Sequence, residues 1–264
     1  MLFELGVYKL WHNDPVNAWR FMRLWLPAVI RVLAPNAGYG VSRMPVTGGA
    51  VVAANHLSAI DPPAIGVYST RAIRYMTKVE LLQLPLAGEF LRMTGTFAVR
   101  RGEGDRDSLR VARWLVREGH VVGMFMEGTR QKLGYPGAAH SGAAMVAMQE
   151  GVPVVPIGVD TFGWSLRDRR PIAVAIGEPM DMRGFPPRGK GYKEATGLIE
   201  SEVTRLWRLA AQAAADGLPE RLRDGTPREP EVRLRDVERP GSLRPWPTEE
   251  WAEGPLGPLY KAIT

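Results

Sequence analysis

Cysteine is absent from the 264 residues, which excludes structural disulfides, thiolate metal sites and a cysteine nucleophile. That fits a reducing cytoplasm. Long apolar runs are missing as well. The most hydrophobic stretch, Leu24 to Leu33, is interrupted by Pro27 and Arg31 and falls short of the roughly 20 residues a spanning helix needs. The chain is therefore expected not to cross a membrane. Met1-Leu2-Phe3-Glu4 offers no basic leader and no small-residue cleavage site follows it, so no secretory signal is expected. Histidine is scarce, and His12, His120 and His140 show no metal-ligand spacing. There is no internal repeat and no Gly-x-Ser-x-Gly elbow. Gly184 to Gly191 nearly spells a P-loop, but Gly191 stands where the hydroxyl ligand of Mg²⁺ belongs and two prolines remove backbone donors. Gly102-Glu103-Gly104 lacks the third glycine of a dinucleotide fingerprint, Asp107 standing in its place.

What is present is a hydrophobic fraction of 45%, enough for a packed core, and a net charge of +6. The positive balance favours an anionic partner: a phospholipid surface, a nucleic acid or a phosphorylated substrate. No recognised nucleic-acid module accompanies it, so nucleic acid is set aside.

Three regions differ in composition. Residues 1–40 place Trp11, Trp19, Phe21, Met22, Trp25 and Leu26 among Lys9, Arg20, Arg23 and Arg31. Apolar bodies with interspersed cations predict an amphipathic helical segment at a membrane interface, against the alternative of a helix packed on the core. Residues 41–216 alternate short apolar runs with amphipathic stretches. Strands are expected at Ala50–Ala54, Ile73–Thr77, Thr96–Val99, Val121–Phe125, Val154–Val159 and Ile172–Ile176. Helices are expected at Pro62–Tyr68, Leu86–Met93, Arg106–Glu118, Gly142–Glu150 and Tyr192–Ala214, the third with Leu109, Ala112, Leu115 and Val116 on one face. The alternation predicts an α/β fold with a mostly parallel central sheet flanked by helices. Residues 217–264 are rich in proline, arginine and glutamate and are expected to form an irregular tail, anchored by or independent of Trp246, Trp251 and Tyr260.

Two sites follow strand ends. After Ala50–Ala54 comes Asn55-His56-Leu57-Ser58-Ala59-Ile60-Asp61. A histidine with a carboxylate able to fix its tautomer is what a general base needs to take a proton from an alcohol. On a continuous helix residues five apart face different ways, so a turn must separate His56 from Asp61, and Pro62-Pro63 supplies the break. The positive end of the helix starting there would help keep His56 neutral. For an isolated pair, an N-capping Asp61 and a core His56 remain the commoner explanation. Ser58 reads as a hydrogen-bonding residue of the turn. The second site, Glu127-Gly128-Thr129-Arg130, follows Val121–Phe125 at a carboxyl end of the sheet, where open α/β sheets bind ligands. Its glycine allows close backbone approach, Thr129 offers a hydroxyl and Arg130 can grip a phosphate. Lys78 and the pair Arg100-Arg101 end two further strands.

These blocks together resemble the PlsC-like lysophospholipid and glycerophosphate acyltransferases. The resemblance rests on His56-x4-Asp61, Gly95 to Arg101, Glu127 to Arg130, and Val152-Pro153-Val154-Val155-Pro156-Ile157, four blocks in family order, with Thr77 to Leu81 as a lysine-containing segment. It covers about residues 45–215 and reverses the odds on His56. Where many members carry a bulky aromatic between the histidine and aspartate, this chain has Ala59; it also has Arg100 where an acid is often found.

The resemblance implies transfer of a fatty acyl group from acyl-CoA or acyl-carrier protein to the free hydroxyl of lysophosphatidate. His56 would be the base and Asp61 its partner. Lys78, Arg101, Glu127, Gly128, Thr129 and Arg130 would line the acceptor and its phosphate. No metal and no cofactor beyond the acyl donor is implied. The expected partners are an anionic phospholipid surface, a lysophospholipid and the donor, with the protein cytoplasmic and peripheral on the inner face of the cell membrane. Other acceptors (glycerol 3-phosphate, a lyso-ornithine lipid, a glycolipid precursor), a thioesterase-like hydrolase and a non-catalytic lipid-binding protein stay open.

Overall fold

A computed structural model describes residues 15–85, 88, 91, 94–99 and 105–237. The expected helix Leu86–Met93, Arg101, and the aromatic residues Trp246, Trp251 and Tyr260 lie wholly or mostly outside them. Among the described residues eight strands form one sheet: β1 Asn36–Tyr39, β2 Ala50–Ala54, β3 Ile73–Lys78, β4 Phe97–Val99, β5 Val121–Phe125, β6 Val154–Asp160, β7 Ile172–Ile176 and β8 Arg228–Glu229. Their order across the sheet is β4-β3-β5-β2-β6-β7-β1-β8. All pairings are parallel except β6–β7 and β1–β8. The α/β fold read from the sequence is the one observed.

The central strands are apolar without interruption because both faces of the sheet are covered. Alternation of side chains divides β2 between two cores. Val52 and Ala54 pack with Trp19, Met22, Leu26, Ile30 and Ile65 on one face. Val51 and Ala53 pack on the other with Val111, Ala112, Leu115 and Val116 of helix Asp105–Arg117, with helix Gly142–Glu150, and with Ile199 and Val203 of the long helix Gly189–Ala215.

The N-terminal segment differs from expectation. Its described part forms two short helices, Pro15–Met22 and Leu26–Leu33, and Trp19, Met22 and Leu26 belong to the core. Arg23 is also inside. Its guanidinium donates to Gly66 O at 2.9 Å and Val67 O at 2.6 Å, carbonyls at the end of helix Asp61–Val67, and to Val232 O. The terminal nitrogens thus serve carbonyls at a helix end, while Nε is buried without a partner among the described residues. Burial still lowers its pKa to about 10. Phe21, Leu24, Trp25, Val29 and Val32 remain exposed, so only one side of the segment keeps the interfacial character.

The sheet and core also draw on residues either side of the divisions expected at 40 and 217. β1 comes from the N-terminal segment. Residues 218–237 pack against the domain, with Leu218, Leu222, Val232 and Val237 buried and β8 added at the edge beside β1.

β6 meets the long helix closely enough to forbid a side chain. A Cβ on Gly158 would lie 2.1 Å from Trp207 N and 2.2 Å from Leu206 C. Gly158→Ala is therefore expected to lower stability by about 1–3 kcal/mol, the range for overpacking a close contact. At Gly184, where an added methyl meets nothing within 4 Å, alanine should change stability by less than ~0.5 kcal/mol. Thermal melts of the two variants check the contrast.

Candidate active site

β2 and β5 run in parallel with Ala54 beside Phe125, so the segments that follow them leave the sheet at the same edge. Asn55 closes β2. Its side-chain amide donates to Val159 O at 2.9 Å and accepts from Val159 N–H at 2.8 Å, continuing the pairing with β6 after the backbone has turned away. His56 is thereby directed out of the ladder. Its ring stacks on Phe125 with centroids 4.0 Å apart and planes 16° apart, and Tyr75 stacks on the same phenyl ring at 5.4 Å. Burial, with the Asp61 charge behind it, pushes the Tyr75 phenol up.

The predicted turn between His56 and Asp61 is present. Asp61 is the first residue of helix Asp61–Val67 and has no exposed surface. His56 Nδ1 lies 2.7 Å from Asp61 Oδ2, which also accepts the backbone N–H groups of Leu57 at 2.7 Å and Ser58 at 2.8 Å. The other oxygen, Oδ1, accepts the Thr161 hydroxyl, which in turn accepts from Ser58 Oγ at 2.9 Å. Charge-assisted hydrogen bonds of this kind contribute about 1.5–3 kcal/mol each, and together they keep an ionised carboxylate tolerable in the interior. Because a carboxylate only accepts, the imidazole proton sits on Nδ1, and Nε2 is left as an acceptor. Ser58 bonds within the turn, where its hydroxyl accepts Ile60 N–H at 3.3 Å, and also reaches out of it to Thr161.

Glu127 lies beneath the same turn. Its Oε1 accepts the backbone N–H of His56 at 3.4 Å, Gln131 N–H donates to His56 O at 2.8 Å, and Oε2 meets no hydrogen-bond partner among the described residues. Glu127 as a whole is 5% exposed. Burial raises its pKa to about 7, with backbone N–H groups of Glu127, His56 and Gly137 offsetting only part of the rise. The structure thus separates Glu127 from the rest of its block: it supports His56 from inside, whereas Gly128, Thr129 and Arg130 are exposed beyond it. Gly128 adopts φ +63°, a left-handed turn that glycine makes without strain, and this turn brings Thr129 and Arg130 to the surface.

Lys78 ends β3 in register with Val99 of β4, at the edge from which His56 also emerges, but its side chain lies outside what the structure describes. Arg101 lies outside the described residues altogether. Thr161 and Phe125 belong to the site yet were not singled out from the sequence. Thr161 could have been found only as a hydroxyl just beyond a strand that ends beside β2. His120, at the opposite end of β5, is a separate matter: burial, then Arg74 and Arg71, lower its pKa to about 3 and hold it neutral inside the protein.

The Glu127 shift has a defined sign. Its carboxyl titrates near 4.5 in the unfolded chain and near 7 in the folded one. Between those values the folded state keeps a proton the unfolded state has lost, so stability present below 4.5 declines as pH rises and is fully lost above 7. Glu127→Gln, which has no such proton to lose, should gain on the parent across that window by roughly 1–3 kcal/mol. Urea midpoints at a series of pH values measure this, and parallel pH profiles for the two proteins would contradict it.

The chain is similar to several known proteins. Residues 38–160 match the family model described as Acyltransferase. A 1-acyl-sn-glycerol-3-phosphate acyltransferase of Bacillus subtilis is 31% identical over 150 residues, covering 56% of this chain and 74% of its own. A lyso-ornithine lipid O-acyltransferase of Pseudomonas aeruginosa is 32% identical over 108 residues, 40% of this chain and 41% of its own. Among solved structures, the 1-acyl-sn-glycerophosphate acyltransferase PlsC of Thermotoga maritima superposes with a TM-score of 0.57 at 22% identity, over 71% of this chain and 79% of that one.

Proposed function

The chain belongs to the PlsC-like acyltransferases, and on that footing we propose that it moves a fatty acyl group from a thioester, acyl-CoA or acyl-carrier protein, to the free hydroxyl of lysophosphatidate, giving phosphatidate. The observation that carries the mechanism is the 2.7 Å bond between His56 Nδ1 and a fully buried Asp61, which leaves Nε2 as the acceptor. In this reading Nε2 takes the proton of the acceptor hydroxyl while its oxygen attacks the thioester carbonyl. The tetrahedral species collapses by breaking the carbon–sulfur bond, and the thiolate leaves with the proton carried by the imidazolium. Asp61 stabilises that cation and returns the ring to its starting tautomer. Direct transfer of this kind uses no covalent enzyme intermediate and asks for no metal or redox cofactor.

The phosphate of the acceptor would be met by Arg130, with Gly128 and Thr129 shaping the turn that presents it and Lys78 and Arg101 joining from neighbouring strand ends. Glu127 is the exception among these residues. A buried carboxyl beneath His56 suits holding the base rather than binding an anion. The exposed Phe21, Leu24, Trp25, Val29 and Val32 of the two N-terminal helices and the turn between them would rest on the lipid surface, placing the enzyme peripherally on the inner face of the membrane. No helix among the described residues is long and apolar enough to cross one. Likeness to the lyso-ornithine lipid enzyme and the small Ala59 beside the pair support a second reading in which a bulkier lysolipid is the acceptor.

His56→Ala should reduce transfer by about 10²–10⁴-fold, the usual worth of a general base, with circular dichroism unchanged. Retained turnover in the folded variant would remove the base assignment. Arg130→Ala is expected to raise KM for the phosphate-bearing acceptor at least several-fold with little change for the donor. Mass identification of products from a panel of lysolipids offered with both donors selects between the two acceptor readings.

A further inference from the structure

Two loops beside the site carry apolar side chains into solvent, and one of them lies beyond the part of the chain that matches the family model. The first follows Arg130 and exposes Leu133 at 72% and Tyr135 at 51%. The second joins β6 to β7 and exposes Phe162 and, at 71%, Leu166.

The loops are fixed to each other and to the catalytic turn. Gly134 adopts φ +83°, and a Cβ there would lie 2.7 Å from Phe162 Cδ1, so the aromatic ring closes over bare backbone. Gln131 N–H donates to His56 O at 2.8 Å, and the Thr161 hydroxyl that opens the second loop is bonded to Asp61. Trp164, two residues before Leu166, packs on the core and donates from Nε1 to Leu33 O at 3.3 Å, tying the same loop to helix Leu26–Leu33. The exposed side chains therefore stand on anchored backbone.

Their charged neighbours are mostly cations. Lys132 lies beside Leu133, and Arg167, Arg169 and Arg170 follow Leu166, all exposed. The single acid in the second loop, Asp168, is occupied by the Ser165 hydroxyl at 3.0 Å. Isolated exposed leucines are ordinary, but apolar tips spaced among cations on two interlocked loops match a surface that is apolar beneath an anionic layer.

We propose that Leu133, Phe162 and Leu166, with Lys132 and Arg167, form a lipid-contact rim around the His56 opening that seats it on an anionic phospholipid bilayer, distinct from the exposed side of the N-terminal helices. Tips entering the acyl boundary would hold the opening level with the headgroups, so a lysolipid hydroxyl reaches His56 without its acyl chain leaving the bilayer. The inference rests on the lysolipid acceptor of the proposed function, and it names the partner of that same site.

The test is vesicle flotation with the full-length protein, using equimolar phosphatidylglycerol and phosphatidylcholine against phosphatidylcholine alone, at low and high salt. Leu133→Ser combined with Leu166→Ser should weaken partitioning onto anionic vesicles at least about tenfold, since two leucine side chains leave the lipid. Lys132→Ser with Arg167→Ser should weaken it less and flatten its salt dependence. Melting temperatures, and turnover of a short-chain lysolipid dispersed as monomers, should stay within about twofold of the parent's behaviour for both pairs. Parent-like flotation of both double variants would overturn the proposal. So would unaltered flotation with impaired use of acyl-carrier protein, which would make the rim a docking site for the donor. A parent protein that floats through these residues but transfers no acyl group would leave the rim standing and remove the catalytic reading instead.

Discussion

A carboxylate with no exposed surface keeps its charge only when its oxygens are filled, and the turn after β2 is built to fill those of Asp61. Two consecutive backbone N–H groups and an imidazole meet Oδ2, and a hydroxyl from the far end of β6 meets Oδ1. Removing any donor would leave a buried charge less than satisfied, so the turn, the start of helix Asp61–Val67 and the position of β6 are held to one arrangement. The orientation of His56 follows from that constraint. Its ring is clamped between the carboxylate on one edge and the Phe125 face beneath, which fixes the tautomer and the direction of Nε2 together.

The sheet explains why the parts converge. β2, β5 and β6 are adjacent and parallel, so their three strand ends deliver Asn55-His56, Glu127 to Arg130 and Thr161 to one edge. The carboxyl ends of parallel strands are where open α/β sheets present their ligands, because each strand there hands over to a loop rather than a ladder. The same edge carries the two apolar loops. Catalytic turn, cationic exit and lipid rim are consequently neighbours by topology.

Much of this was legible in the sequence. β2, β5 and β7 have the expected boundaries because uninterrupted apolar runs between turn residues have few other uses in an α/β chain. His56 and Asp61 could be paired because Pro62-Pro63 forces the break that their spacing requires. What escaped was set by tertiary partners. β1 and β8 are short and contain no apolar pattern of their own; they exist because an edge was available beside β7. Arg23 looked like a surface cation, yet three carbonyls from distant segments surround it. Thr161 is 100 residues from Asp61, and no local signal marks such a contact. Glu127 stood in one block with Arg130, but a left-handed turn at Gly128 sends the two to opposite environments.

The central claim is that the buried carboxylate sets the proton on His56 Nδ1 and opens Nε2 to the substrate. Nitrogen NMR of the labelled His56 imidazole at neutral pH reads this directly. The account predicts a ring whose Nδ1 shows the shift and one-bond coupling of a protonated nitrogen and whose Nε2 shows that of a bare acceptor. A proton found on Nε2, or an even mixture of the two tautomers, would contradict it.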